Sequence, residues 1–373
     1  MEKMTEKQTH GSRLPSLTNR WLKVNDTETE FREVEGKPFA GLEKAGDITG
    51  YQEKITEAPF SLEETSYGSA GEKQFRGISR ALKDQLAQHA NLKDALSLRE
   101  GEVAEFTLGL SHDDPVLLDL HYVTAPVGHC GAVLYRLVSK DDTAGYRNGT
   151  IAIKVEEDAE IQLILVQQLN EQSVNNLSIL ADIADGGTLH ITQVDLGGKR
   201  ANSNVDVNLI GFESKLTAYA SYITQHEQKL DLFYNVRHRG PYSQAEVQAN
   251  GAVGGKSQKS FRGTLDFLKG SYGSKGDEES LAILMSDEAK SIDVPLLLAH
   301  EDNVEGNHAA SAGRMDEGIL FYLMSRGLSR QEAESLVVEA RMQPTLERIS
   351  DADLRTALKK EIHERMMSDD RQK

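Results

Sequence analysis

From about Glu102 to Ser311 the chain consists of many short apolar or alternating runs, and this regularity constrains its fold more than any other feature. Examples are VAEFTLGL, TIAIKV, IQLILVQQL and TLHITQVDL, and Gly, Asn, Asp and Ser separate the runs. Runs of this length and composition indicate β-strands joined by turns. The sequence therefore predicts a mainly β core, and the spacing alone leaves a sandwich, barrel, propeller or solenoid open.

A parallel β-helix is the arrangement that the composition favours. The strands are numerous and short, only 6% of the residues are aromatic, and the turns contain Asn and Gly. These two residues tolerate the left-handed backbone of tight solenoid turns. We predict a β-helix core over residues 101–314, an N-terminal helical or irregular region over residues 1–100, and a small C-terminal helical domain over residues 315–373.

Apolar spacing predicts the first and last helices of the flanking regions. Between Glu72 and Leu98, apolar residues recur at intervals of three or four, at Ile78, Leu82 and Leu86. The last helix is expected to open near Ser350 or Asp351, with apolar residues on one face at Leu354, Ala357, Leu358 and Ile362. Both patterns are typical of amphipathic helices.

Two further helices are expected after the strands. Asp316 can cap the segment EGILFYLMSR, which ends before Gly327, a residue suited to the left-handed position after a helix. Because this segment is apolar on almost every side, we expect it to be buried around most of its circumference. Ser329 and Glu332 then form the pattern of a capping box for the next helix.

Charge and hydropathy exclude several classes of function. A formal net charge of -17 disfavours nucleic-acid binding. The best basic cluster, Arg237-His238-Arg239, precedes Gly240-Pro241 and is interpreted as a solvated turn. No apolar run approaches the roughly 20 residues of a membrane helix, and the first residues do not read as a secretory signal. We therefore expect a cytoplasmic protein.

Chemically active residues are few. Cys130 is the only cysteine, so an internal disulfide or a cysteine-rich metal site cannot form within this sequence. We interpret Cys130 as a small buried residue. His300, Glu301, Asp302 and His308 lie close in sequence and offer ligands that zinc or iron accepts, although a loop without metal is the more common outcome. The phosphate-loop, nucleophile-elbow and zinc-helix motifs do not occur.

The last third of the sequence contains an ordered series of short motifs: Phe261 and Gly263; Leu281 to Ser286; Ser291 and Pro295; Val304, His308, Ala309 and Ala310; Gly313; Phe321-Tyr322-Leu323; and Ser325-Arg326-Gly327. In this order the motifs resemble those of the SufB/SufD family of the SUF iron–sulfur cluster assembly machinery. Near the amino end, LPSLTNRWLKVNDTE is similar to the family's opening. Ordered matches over about eighty residues are more specific than any single short motif.

The resemblance implies a right-handed parallel β-helix between two helical regions, in a scaffold subunit that is not an enzyme. In the family, SufD pairs with its paralogue SufB, and each binds one copy of the ATPase SufC through its helical domain. Candidate SufC-binding residues here are Phe321, Tyr322, Arg326, Gly327, Leu336 and Val337.

The presence of functional cysteines distinguishes SufB from SufD. SufB accepts sulfur on cysteines, whereas this sequence has Gly306 where many family members have the cysteine of a C-x-H motif. The resemblance therefore implies a SufD-type subunit, in which His308 is the candidate cluster-assembly residue and metal ligand, shared with SufB. We expect no tightly bound cofactor in the isolated chain and a transient iron–sulfur cluster in the complex. A homodimeric SufB-like scaffold that works with SufC only, and a carbohydrate-active β-helix enzyme, remain alternatives.

Overall fold

The computed structural model describes residues 6–16, 24–34, 37–46, 48–63, 65–67 and 72–368. The part of the N-terminal family-like segment from residue 17 to residue 23 lies outside these ranges. None of the helices within them is both long enough and apolar enough to cross a membrane.

Short strands and one helix make up the described part of the N-terminal region. The strands are β1 (Glu6–Gly11), β2 (Thr27–Arg32), β3 (Leu42–Ala45), β4 (Tyr51–Glu53), β5 (Thr65–Tyr67) and β6 (Glu72–Gln74). Helix α1 is Arg80–His89. It is shorter than the apolar spacing predicts, because residues 92–97 form a strand instead.

Sixteen further strands follow without an intervening helix. They are β7 (Leu92–Ser97), β8 (Glu102–Leu110), β9 (Val116–Ala125), β10 (Cys130–Ser139), β11 (Tyr146–Val155), β12 (Glu160–Gln168), β13 (Val174–Ile183), β14 (Thr188–Asp195), β15 (Arg200–Leu209), β16 (Lys215–Thr224), β17 (Lys229–His238), β18 (Gln244–Val253), β19 (Gln258–Phe267), β20 (Lys275–Leu284), β21 (Lys290–Ala299) and β22 (Glu305–Gly313). Helices α2 (Glu317–Ser325), α3 (Arg330–Leu346) and α4 (Ala352–Met367) close the described chain.

The strands from β7 to β22 form a parallel β-helix, as predicted. Even-numbered strands form one nine-stranded sheet with β3, and odd-numbered strands form a second with β4. Each turn takes about 30 residues, since Val133 pairs with Ala104 in the preceding turn and with Leu163 in the next. β3 and β4 pair antiparallel with the first strands and cover the amino-terminal end of both sheets.

The space between the two sheets, called the lumen below, is filled mainly by aliphatic side chains. In β12, for example, Ile161, Leu163 and Leu165 belong to the core. Successive residues of a strand point to opposite faces, so the alternating pattern of the sequence places every second residue in the lumen. The other residues face outward.

The outward face of the even-numbered sheet is apolar and is covered by the C-terminal helices. Leu134, Ile164 and Val194 belong to one buried cluster with Val338 of α3 and Leu358 of α4. The helices are therefore attached to the β-helix by hydrophobic burial, which stabilises them by about 25 cal/mol for each Å² of apolar surface removed from water.

The outward face of the odd-numbered sheet is largely polar, apart from an apolar cluster of Leu118, Tyr146 and Val174 with Leu86 of α1, and it is covered by the N-terminal region. Thr29 Oγ1 donates to Asn176 Oδ1 at 2.6 Å, and Asn204 Nδ2 lies 3.1 Å from Ser12 Oγ. Buried amides and hydroxyls of this kind need partners, because an unsatisfied one costs about 1–3 kcal/mol. Hydrogen bonds therefore fix the N-terminal region in place.

The interpretation of Arg237-His238-Arg239 as a solvated turn was wrong. Arg237 and His238 are fully buried in β17, on opposite faces of the sheet. The Arg237 guanidinium donates to both carboxylate oxygens of Asp206, at 2.8 and 2.9 Å, whereas the His238 ring stacks on Phe267 in the lumen at 4.4 Å between centroids. The strand alternation separates residues that appear as one basic cluster in the sequence.

The predicted caps of the C-terminal helices are confirmed. Asp316 accepts hydrogen bonds from the backbone of the first turn of α2, and Gly327 follows this helix at φ +105°. Ser329 and Glu332 form the reciprocal capping box of α3, and Asp351 caps α4. The boundaries of independent domains at residues 100 and 314 stay predictions.

A buried charged group occupies the amino-terminal end of the lumen. His121 Nδ1 lies 2.7 Å from Asp94 Oδ1, and His121 Nε2 lies 2.9 Å from Asp119 Oδ2. Arg147 donates to both oxygens of Asp119, at 2.9 and 2.6 Å. Burial alone would lower the pKa of His121, but the two carboxylates outweigh it and raise the pKa to about 9.

We expect the free energy of unfolding to decrease as the pH rises from about 7 to above 9. Because the pKa of His121 is raised, the charged imidazole makes its full contribution to the free energy of unfolding below pH 6.5, its ordinary pKa. This contribution is lost as the pH passes through about 9. At 1.36 kcal/mol per pKa unit, the contribution is about 3 kcal/mol. Urea unfolding at pH 6.5 and 9.5 measures it. The variant His121→Gln should be less stable at pH 6.5 and should lose the part of this pH dependence that His121 contributes; equal pH dependence in both proteins would contradict the assignment.

Candidate functional site at the last turn of the β-helix

His308 lies on β22, the last strand of the even-numbered sheet, where the β-helix ends. It pairs with Glu278 on β20, and all side chains of β22 are exposed. The neighbouring position 306 faces the lumen, since a Cβ added to Gly306 would lie 2.4 Å from Leu297 Cδ1 and 3.0 Å from Phe267 Cε2. By strand alternation His308 faces the same way, and it stands at the open end of the lumen.

Glu278 lies one turn below His308, inside the lumen. It is only 4% exposed, and its carboxylate oxygen Oε1 has no hydrogen-bond partner in the described part of the structure. The carboxyl group occupies the space beside Gly263, where an added Cβ would lie 2.2 Å from Oε1. Gly263 therefore makes room for this acid. Burial, with a smaller contribution from Asp293, raises the pKa of Glu278 to about 8.

A buried ion pair lies next to Glu278. Lys259 Nζ donates to Ser280 Oγ at 2.6 Å and also pairs with the carboxylate of Asp293. Ser280 and Ser291 each donate to Asp293, at 2.6 and 2.8 Å. Burial lowers the pKa of Lys259, and Asp293 opposes this effect. The last two turns of the lumen thus hold a polar group of side chains in an otherwise apolar core.

A second exposed feature lies just after β22. Helix α2 presents Ile319, Phe321 and Tyr322 to solvent, with exposed fractions of 52%, 71% and 55%, whereas Leu320 is buried. The expectation that this helix is buried around most of its circumference is wrong for the isolated chain. Adjacent exposed aromatic residues of this kind are typical of a protein-binding surface. We call Ile319, Phe321 and Tyr322 the α2 apolar surface.

Residues 111–341 match the family model described as "SUF system FeS cluster assembly, SufBD core domain". This match extends over more than half of the chain, from β9 into α3, and includes β22 and α2. The chain belongs to the SufBD family.

Curated SufBD relatives are similar over part of their length. An iron–sulfur cluster assembly SufBD family protein of Mycobacterium bovis is 25% identical over 248 residues, which are 66% of this chain and 28% of that protein. SufD of Bacillus subtilis is 32% identical over 120 residues, 32% of this chain and 28% of that protein. A SufBD family protein of Staphylococcus epidermidis is 22% identical over 202 residues, 54% and 43% of the two chains. The chain thus covers less than half the length of each of these relatives.

The predicted SufC-binding residues differ in their surroundings. Phe321, Tyr322 and Leu336 are exposed, and the Arg326 guanidinium lies 5.3 Å from the centroid of the Tyr322 ring. Val337 is partly buried against the cluster that attaches the helices to the β-helix. Their role in SufC binding stays a prediction.

Cys130 is exposed, so its interpretation as a buried residue was wrong. Slight desolvation and the carboxylates of Glu100 and Glu160 raise the pKa of its thiol, which disfavours the reactive thiolate. Cys130 begins β10, which is six strands away from β22 in the same sheet. At about 4.8 Å per strand, the thiol lies about 29 Å from the last turn.

The structure does not gather the acidic and histidine residues near position 300 into one site. His300 follows β21 and lies 3.7 Å from Asp266, while His308 stands on β22. In the described ranges, no group of three or more His, Cys, Asp and Glu residues is placed to hold a metal ion.

Sequence reasoning missed the lumen residues Lys259, Glu278 and Asp293. The available signal was a charged residue at an inward position within an alternating strand, such as Lys259 in QKSFRGTLDF, where the neighbouring inward residue is Phe261. Recognising it requires knowing which strand face is inward, and the pairing of distant strands decides that.

Proposed function

We propose that this chain is a SufD-like scaffold subunit of the SUF complex, which pairs with SufB and binds SufC. The main support for the proposal is the set of side chains present at the open end of the β-helix. An imidazole, His308, is present there, whereas position 306 is glycine and Leu297 fills the space that a side chain would need. The single thiol is about 29 Å away. Sulfur ligands would therefore come from a partner, as a SufD-like role requires.

The exposed edge of the last turn supports pairing with SufB. Within the described chain, β21 and β22 each pair with one strand only, so their outer edges present backbone N–H and C=O groups. Such an edge is a template for another strand and is normally covered. Pairing of two β-helices end to end would satisfy these groups and would cover His308.

The α2 apolar surface supports binding of SufC. Phe321 and Tyr322 are large, exposed and adjacent to Arg326, and aromatic and arginine residues dominate the binding energy of many interfaces. In this proposal the subunit works in the cytoplasm and is not itself an enzyme. ATP hydrolysis belongs to SufC, and an iron–sulfur cluster resides only transiently between this chain and SufB.

Co-expression with SufB and SufC tests the proposal. We expect a tagged form of this chain to retain both proteins through size-exclusion chromatography, and anaerobic reconstitution to give a cluster on the complex. The isolated chain should give little visible absorption under the same conditions. A stable, stoichiometric cluster formed on this chain with SufC alone would instead establish the homodimeric SufB-like alternative.

A further inference from the structure

Two side chains of types that can bind metal ions lie at positions facing the same part of the lumen. His308 and Glu278 are directly paired residues on neighbouring parallel strands, and both lie at lumen-facing positions. Paired residues of this kind are about 4.8 Å apart. An imidazole nitrogen and a carboxylate oxygen at this spacing can reach one ion between them.

Glu278 also lacks the partner that a buried carboxyl group normally has. Its Oε1 atom is unpaired within the described residues, although the residue is only 4% exposed. The nearest buried ammonium group does not compensate for this, because Lys259 is hydrogen-bonded to Ser280 and paired with Asp293. Buried polar groups are almost always satisfied, so an orphaned acid indicates a missing ligand.

The surroundings of Glu278 leave room for its carboxyl group. The absence of a side chain at Gly263 leaves the space that its carboxyl group fills. Ser280, two residues further along the same strand, is fixed by its hydrogen bonds to Lys259 and Asp293. The Glu278 carboxyl group thus has space around it and an unpaired oxygen that a ligand entering from the open end of the lumen could reach.

We propose that Glu278 and His308 together bind one divalent metal ion of the Fe²⁺ type at the open end of the β-helix. Mixed nitrogen and oxygen ligands suit Fe²⁺ and its analogues, and two protein ligands leave coordination positions open for water or for a partner's side chains. This inference rests on the proposed function for the identity of the ion, which is cargo for cluster assembly. It adds Glu278 as a second ligand beside His308.

Anaerobic titration of the full chain, free of any affinity tag, with Co²⁺ tests the inference. Co²⁺ is a spectroscopic analogue of Fe²⁺, and its visible absorption reports on its ligands. We expect one saturable site per chain, with an affinity that falls about tenfold or more in Glu278→Gln and likewise in His308→Ala. Because both residues bind the same ion, the double variant should lose little more than either single variant.

The matched control is Glu279→Gln, which removes the neighbouring carboxylate on the opposite face of β20 and should bind Co²⁺ like the parent protein. Glutamine keeps the shape of Glu278, so thermal melting should confirm that Glu278→Gln is folded. Either no saturable Co²⁺ site in the parent protein, or unchanged affinity in Glu278→Gln, would overturn the inference. Both outcomes are independent of co-purification with SufB and SufC, which tests the proposed function separately.

Discussion

Replacing Phe321 and Tyr322 together by alanine is expected to weaken SufC binding by at least about 100-fold. The two side chains are 71% and 55% exposed in the isolated chain. Truncating an aromatic residue at the centre of an interface typically costs 2 kcal/mol or more, and about 1.4 kcal/mol is a tenfold change in affinity. Titration of SufC onto the immobilised chain measures the effect.

The fold should tolerate this double substitution. Exposed positions usually change stability by about 0.5 kcal/mol or less, so the melting temperature should stay close to that of the parent protein. Tyr272→Ala is the matched control, since Tyr272 is 45% exposed but lies in a turn of the β-helix. Unchanged SufC affinity in the double variant, or an equal loss in Tyr272→Ala, would remove the α2 apolar surface from the interface.

The second large effect is expected for His308→Ala in the assembled complex. If the imidazole is a metal ligand shared with SufB, the rate of cluster formation should fall by about tenfold or more. Because His308 is exposed on β22, its removal leaves no buried group unsatisfied. Melting and complex formation should therefore remain near those of the parent protein.

The rate of cluster formation can be measured from the visible absorption of the complex during anaerobic reconstitution. His300→Ala is the control, since it removes a neighbouring histidine that lies outside the last strand. A variant that melts early and loses SufB would show that His308 acts structurally. Undiminished cluster formation in a stable His308→Ala complex would exclude His308 from the mechanism.

Local patterns predicted much of the fold correctly, because they depend on neighbouring residues. The caps at Asp316, Ser329 and Asp351 each lie within hydrogen-bond reach of the turn that follows in the sequence. The strands of the core follow from two-residue alternation, which is visible within ten residues. The helix between Glu72 and Leu98 was correct in type but too long, because residues 92–97 pair with β9 of the next turn.

The candidate site was predictable only in part. The family resemblance selected His308, but it did not show that His308 pairs with Glu278 or that Gly263 makes room for a buried carboxyl group. These residues lie 15 to 45 positions apart in the sequence. Parallel strand pairing at about 30 residues per turn brings them together.

By itself the sequence determined the strand-rich core, the capped C-terminal helices, the SufBD resemblance and the lack of any thiol beyond Cys130. Tertiary structure decided which side chains are buried. It placed Arg237 and Glu278 inside the protein, left Cys130 at the surface, and left the apolar residues of α2 exposed. The physical reason is that burial depends on what covers each face, and residues distant in the sequence, or a partner chain, supply that cover.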